Sequence, residues 1–173
     1  MPELLNGIPR VDPKRPSGMQ RAIGVLLGIK PVSTIHRVVA APIDAPLMRL
    51  TRGRVNCGLG VPIVVLRTTG AKSGAPREVP LAYFTDGDDA ILIASNYGQA
   101  KHPSWYYNLL RHPECELLAH GRSGRFLARP ADGSDHDRLL SLAEGLYSVY
   151  GKYTAYTDGV RMIQVMRLTP ATG

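Results

Sequence analysis

The chain has 173 residues, 44% of them hydrophobic, with 21 Lys and Arg against 14 Asp and Glu, a formal net charge of +7. That length fits one domain, with or without an N-terminal extension, and the apolar content is enough for a real core, which excludes a disordered chain. The two cysteines form no CxxC pair and the five histidines no H-x-x-x-H pair, so a reducing compartment and the absence of a metal site are expected.

The charge is unevenly placed. Residues 1–60 hold nine Lys and Arg against three Asp and Glu, whereas residues 61–173 hold twelve against eleven. A surplus of +6 therefore sits in the N-terminal third, from nine minus three over residues 1–60. The longest apolar run, Ala22 to Ile29, is far short of the ~20 residues that a membrane-spanning helix needs. Met1-Pro-Glu-Leu-Leu5 lacks a basic segment followed directly by an apolar core, so no secretory signal is expected and the location is read as cytoplasmic.

Residues 1–17 contain four prolines and no periodic pattern, and are read as an arm. Gly18 to Gly28, Ser33 to Ala40 and Asp44 to Gly53 predict three short basic helices. Residues 1–54 are thus taken as an N-terminal arm with helices, and 55–173 as the main domain. The helices either pack against that domain or lie on the cytoplasmic face of an anionic membrane through residues 18–54; their short, proline-broken amphipathic face favours packing.

After Gly60 the pattern turns to strands. Val61 to Thr69, Arg77 to Thr85 and Ala90 to Ser95 are apolar strands, with a turn signal at Asp86-Gly87. Pro103 opens a helix over Ser104 to Arg111, and Glu114 to His120 with Gly124 to Ala131 form a hairpin around Gly121. Ser134 is a suitable N-cap for a helix through Tyr147, and Met162 to Leu168 is a closing strand. About six mostly antiparallel strands with outlying helices predict a small barrel of the α+β class.

Three stretches carry candidate chemistry. In Arg67 to Leu81, Gly70 and Gly74 allow close backbone approach, while Lys72 and Arg77 add positive charge. This is an anion cradle on a hairpin, or else a plain basic turn; the Walker and Rossmann spacings are both absent. In the second stretch a strand ends at Ser95, a polar loop follows, and Trp105 and Asn108 share a helix face. They would offer a flat apolar surface and hydrogen bonds to a heteroaromatic ligand, unless Trp105 is simply core. The third is Tyr147, Tyr150, Tyr153 and Tyr156, whose step of three drifts about 60° each time on a helix, so the four cannot share one face. They form either an aromatic wall for a flat substrate or core packing. No triad and no carboxylate pair stands out, a pattern that fits a borrowed reactive group.

The run Thr68-Thr-Gly-Ala-Lys-Ser-Gly-Ala-Pro-Arg77, then Pro80-Leu81, Ala94-Ser95-Asn96 and Pro103-x-Trp105-Tyr-x-Asn-Leu109, closely resembles the deazaflavin (F420)-dependent nitroreductase and quinone reductase family. The resemblance spans roughly Leu50 to Pro170. It implies an actinobacterial-type, FMN-binding-like split β-barrel that uses reduced coenzyme F420 to deliver a hydride to a quinone or nitro-aromatic electrophile. Under it, Lys72, Ser73, Arg77 and the Ala71 backbone would hold the cofactor's phosphate and acidic tail. Val79, Pro80, Leu81, Ile93, Ala94, Ser95 and Asn96 would line the ring, and Ser104, Trp105 and Asn108 would close the site. Tyr147, Tyr150 and Tyr153 would line the substrate pocket, with Tyr150 nearest the ring and Tyr150 or Ser95 as the proton source. Two departures bear on the substrate: some relatives have lysine at Asn96 and glycine at Tyr97. The rival expectations are a related barrel using FMN, and a carrier of F420 or lipid without turnover. Nucleic-acid binding is not expected, because the basic surplus lacks interleaved aromatics.

Overall fold

The computed structural model describes residues 3–13, 61–147 and 149–171. The three helices expected between residues 18 and 53, with their membrane option, lie outside the described residues. Within them, a hairpin of β1 (Leu4–Leu5) and β2 (Ile8–Pro9) precedes β3 (Ile63–Thr69), β4 (Pro76–Asp86) and β5 (Asp89–Ile93). There follow α1 (Ser104–Arg111), β6 (Glu114–Ala119), β7 (Arg122–Pro130), α2 (Gly133–Leu146), α3 (Val149–Thr157) and β8 (Val165–Pro170). The six strands from β3 to β8 close into a barrel in the order β3-β4-β5-β8-β7-β6, every neighbouring pair antiparallel. The expected split-barrel α+β fold is the fold of this chain.

Period-two alternation explains how the core divides. On β5, Ala90 and Leu92 point into the barrel with Val64, Leu66, Tyr83, Leu117, Phe126, Met166 and Leu168. Ile91 and Ile93 point outward with Phe84 and Val165, where Leu139, Ala143 and Leu146 of α2 cover them. β5 is therefore buried on both faces, which is why its sequence reads as a continuous apolar run. Each such leucine or isoleucine contributes about 1.5–3 kcal/mol on burial. β6 and β7 alternate cleanly instead: Cys115, Leu117, Ala119, Phe126 and Ala128 are buried between more exposed neighbours.

Three expectations are corrected. Residues 3–13 are not a patternless arm, because Asn6 and Gly7 take φ of 44° and 90°, the left-handed pair of a two-residue hairpin turn. Leu5 and Ile8 then enter the barrel core. Gly124 allows this docking, since a Cβ there would lie 1.7 Å from the Asn6 carbonyl oxygen. The helix after β7 starts at Gly133, not Ser134, with Asp132 as N-cap, whose carbonyl accepts the Asp135 N–H at 3.1 Å. The last strand starts at Val165, not Met162, because β8 pairs in register with β5 only from Val165 opposite Ile93.

β8 also carries a charged hub. Arg167, 8% exposed, reaches Asp89 and Asp86 at 2.7 Å each and Asp135 at 3.1 Å. Arg138 of α2 shares Asp86 at 2.7 Å and Asp135 at 2.8 Å, so the hub ties α2 to both the β4–β5 hairpin and β8.

Candidate functional site

The turn between β3 and β4 is a preformed cradle. Gly74 donates to the Gly70 carbonyl at 2.8 Å, Gly70 to that of Ala75 at 2.9 Å, and Ala75 to Ser73 Oγ at 3.3 Å. Gly74 sits at φ +66°, a conformation that favours glycine, and a Cβ on Gly70 would meet Ser73 Oγ at 2.7 Å, so a side chain there would displace that hydroxyl. Asn108, buried on α1, fastens the turn to the helix. Its Oδ1 accepts the Ala71 N–H at 2.9 Å, and its Nδ2 donates to Thr68 Oγ1 at 3.2 Å. Both halves of that amide, and the Ala71 N–H, are thus engaged within the protein. Asn108→Ala leaves buried donors and acceptors unpaired and is expected to cost about 1–3 kcal/mol of stability, measurable by urea unfolding.

Lys72, Ser73 and Arg77 are exposed around this turn, and neither cation forms an ion pair or hydrogen bond among the described residues. Arg67, one strand residue earlier, is the opposite case, because Glu78 and Glu116 bind its guanidinium. The cradle therefore presents two uncommitted positive charges.

Beside it lies an open strand edge. The N–H groups of Tyr83 and Thr85 go to the carbonyls of Pro62 at 3.3 Å and Val11 at 2.9 Å. Backbone groups alternate sides along a strand, so Pro76, Glu78 and Pro80 address the opposite side. There β5 pairs only with Tyr83–Asp86, and among the described residues the first half of β4 has β3 on one flank and no strand on the other. Pro76 and Pro80 carry no N–H, so they suit an unpaired edge. The far bank of this split is Ala94 and Ser95: the Ala94 N–H goes to Gln164 O at 2.8 Å, turning the chain toward β8 and away from β4. Continued beyond its last pair, the β4–β5 register would set Leu81, Pro80 and Val79 opposite Ala94, Ser95 and Asn96, while Ile93 pairs with Val165 and lies in the outer core.

The Ser95 loop is tightly held. Asn96 and Tyr97 occupy left-handed φ of 47° and 55°, costing about 1–2 kcal/mol each. Asn96 Nδ2 donates to Lys101 O at 2.8 Å, and the Tyr97 ring meets that of Tyr153 edge-on at 6.2 Å. The sequence gives no hint of Arg161, which reaches this loop from just before β8 and donates to four of its acceptors. No motif marks it, because its partners lie about sixty residues away.

Other expected residues sit differently from a ligand-lining role. Trp105, 6% exposed, packs in the barrel core with Tyr106 and Leu109, whereas Ser104 is exposed at the start of α1. Tyr147, Tyr150 and Tyr153 come together, with ring centroids 5.9 and 6.3 Å apart, but all three are buried in the outer core under α2 and α3. Tyr156 is 36% exposed, as the drift of a three-residue step requires. Burial pushes the Tyr150 hydroxyl far above its ordinary range, and burial also raises Tyr147 and Tyr83. These phenols are hydrogen-bond donors at neutral pH and not bases. The Tyr147 hydroxyl is buried with no hydrogen-bond partner, an unsatisfied donor in the aromatic layer. Cys115 is a buried thiol pushed up to about 12, mainly by burial, so it is no nucleophile.

Taken together, the geometry offers a hydrogen-bonded turn with two exposed cations, a β4 edge with no second strand among the described residues, and no activated nucleophile among these candidates. The sequence profile of the family described as F420H(2)-dependent quinone reductase matches residues 43–170. The chain belongs to that family. The F420H(2)-dependent quinone reductase Rv1261c of Mycobacterium tuberculosis is 34% identical to this reductase over 128 residues, 71% of this chain and 85% of that one. A solved F420-H2 dependent reductase, FDR-A, superimposes with a TM-score of 0.56 at 35% identity, covering 62% of this chain and 93% of its own. The heme storage protein HutZ from Vibrio cholerae, at 12% identity and a TM-score of 0.50, shares the fold alone. This reductase is an F420H2-dependent oxidoreductase, and coenzyme F420 is its cofactor.

Proposed function

We propose that this reductase binds F420H2 across the cradle and the open edge of β4, and reduces a quinone; nitro-aromatics are the second substrate class of the reading. One observation carries the placement: Lys72 and Arg77, with no ion pair among the described residues, flank the end of a β4 edge that meets no second strand among those residues. A ligand with a polyanionic tail and a flat ring matches that pairing of features. When bound, F420H2 supplies the hydride.

The chain's own residues bind, orient and shield. Lys72, Ser73 and Arg77 hold the anionic tail, and Asn108 keeps their turn in place by holding the Ala71 N–H. Val79, Pro80 and Leu81 and the Ile93–Asn96 bank flank the ring with backbone and small side chains, and Ser104 lies at the rim. Tyr147, Tyr150 and Tyr153 form the apolar wall behind the Ser95 loop, and Ser95 or Tyr150 supplies the proton to the reduced product. Burial keeps the Tyr150 hydroxyl protonated throughout neutral pH but makes it a weaker acid than an ordinary phenol, which favours Ser95 or a solvent route for that proton. A cytoplasmic location completes the reading; among the described residues no helix is long and apolar enough to cross a membrane.

The test is direct. Purified protein titrated with F420 is expected to bind at micromolar concentration or tighter, and to oxidise F420H2 when a quinone is added. No binding would end the placement. Binding without turnover across a quinone and nitro-aromatic panel would favour a carrier, and a yellow protein with a flavin spectrum would favour FMN.

A further inference from the structure

Arg161 stands out among the cations of the described residues. Its Nε donates to Gln99 O at 2.8 Å, one terminal nitrogen to Ala94 O at 3.2 Å and His102 Nδ1 at 3.2 Å, and the other to Ser95 O at 2.6 Å. All four acceptors are neutral. Arg67, Arg138 and Arg167, by contrast, each hold two or three carboxylates. A partly buried guanidinium with no carboxylate among the described residues loses hydration without a Coulombic return, so what holds Arg161 in place is the set of acceptors it binds. Burial lowers its affinity for a proton, and burial and the Arg161 charge together keep His102 below its ordinary pKa. His102 Nδ1 is then the acceptor, and its other nitrogen carries the proton.

Its acceptors have a common feature. Ala94 and Ser95 form the far bank of the split, and Gln99 and His102 end the loop that follows. That loop needs a fastening, because Asn96 and Tyr97 are both in left-handed conformations and β4 gives it no strand partner. We propose that Arg161 is the positioning residue of the open edge. It fixes the carbonyls of Ala94 and Ser95, and it lends that bank a positive charge free to meet an anionic flat ligand. The proposal rests on the placement of F420 above, and it adds a residue that acts through the backbone and touches neither tail nor cradle.

The experiment compares wild type, Arg161→Gln and Arg161→Lys by amide hydrogen exchange, F420 titration and steady-state kinetics. Loss of the clamp in Arg161→Gln is expected to speed exchange at Ser95 to Lys101 by about ten-fold or more, with β3 to β8 unchanged, one hydrogen bond being worth roughly 1–1.5 kcal/mol. F420 affinity should fall about ten-fold and KM for F420H2 rise to match, while kcat and KM for the quinone change less. Arg161→Lys should recover only part of this, since an ammonium cannot span four acceptors. Exchange at residues 95–101 equal to wild type would overturn the clamp. Faster exchange with unchanged F420 affinity would overturn its link to the ligand and leave the placement of F420 standing. If wild type itself fails to bind F420, the placement and the ligand role fall together, and the exchange data alone then decide the clamp.

Discussion

Replacing Lys72 and Arg77 together by alanine is expected to weaken F420 binding at least ~100-fold while the barrel stays folded. Hydrogen bonds to charged groups are worth about 1.5–3 kcal/mol each, so losing two of them removes roughly 3–6 kcal/mol, about two to four decades of affinity. Folding should not suffer, because both side chains are exposed and neither has a partner to strand among the described residues. The loss should appear in titration with unchanged unfolding curves. Raising ionic strength should weaken wild-type binding, since exposed charges are screened within about 8–10 Å, and should affect the double variant less. Full affinity in the double variant would place the cofactor tail elsewhere. Arg67→Ala is the contrasting control: its guanidinium already serves Glu78 and Glu116, so F420 affinity should change little.

The largest stability loss is expected at Arg167, far from the cradle. Removing it leaves Asp86, Asp89 and Asp135 facing one another with only Arg138 as counter-ion. Breaking a buried pair costs about 3–5 kcal/mol. Asp86 and Asp135 keep some water, so about 3 kcal/mol is expected for Arg167→Ala, a drop of about 10 °C in Tm for a chain this size. Arg167→Met should lose nearly as much, since it restores stem volume but no charge; a clear rescue by Met would mean that packing dominates.

Acid provides a second check on the same hub. The hydrogen bond from Arg138, then that from Arg167, holds the Asp86 carboxyl down at about 2 against an opposing contribution from burial. Asp135 is held low first by its hydrogen bond to Arg167. A carboxylate depressed in the folded state adds stability that is complete above its unfolded value near ~4 and is lost as pH falls toward the folded one. Wild type should therefore destabilise between about pH 4 and 2, and the Tm gap to Arg167→Ala should narrow over that interval. A gap constant from pH 6 to 2 would mean that the hub contributes no charge-dependent stability.

How legible was all this in the chain? The strands from Ile63 to Ala128 could be read because each carries its own signal: apolar runs where both faces are covered, alternation where one is, and glycine turns between them. The cradle was equally local, with Gly70, Lys72, Ser73, Gly74 and Arg77 inside one hairpin. The Asn6-Gly7 hairpin had a signal too, but two-residue strands and four nearby prolines obscured it, and only Leu5 and Ile8 entering the core give it stability. The tyrosine spacing predicted that one ring would face away, and Tyr156 does, but not that the other three would be closed into a core.

The sequence by itself determined the barrel class, the family and the cradle, because periodicity, turn chemistry and short motifs act over a few residues. Only the tertiary structure decided which cations are free and which strand edge is open. Arg67, Lys72 and Arg77 are similar letters within eleven positions, and they differ solely in whether closure of the barrel brings Glu78 and Glu116 beside them. Likewise, Arg161 meets Ser95 across 66 residues, and Arg167 meets Asp86 across 81. Such pairings follow from strand register, which the side-chain pattern constrains only once every neighbour in the barrel is in place.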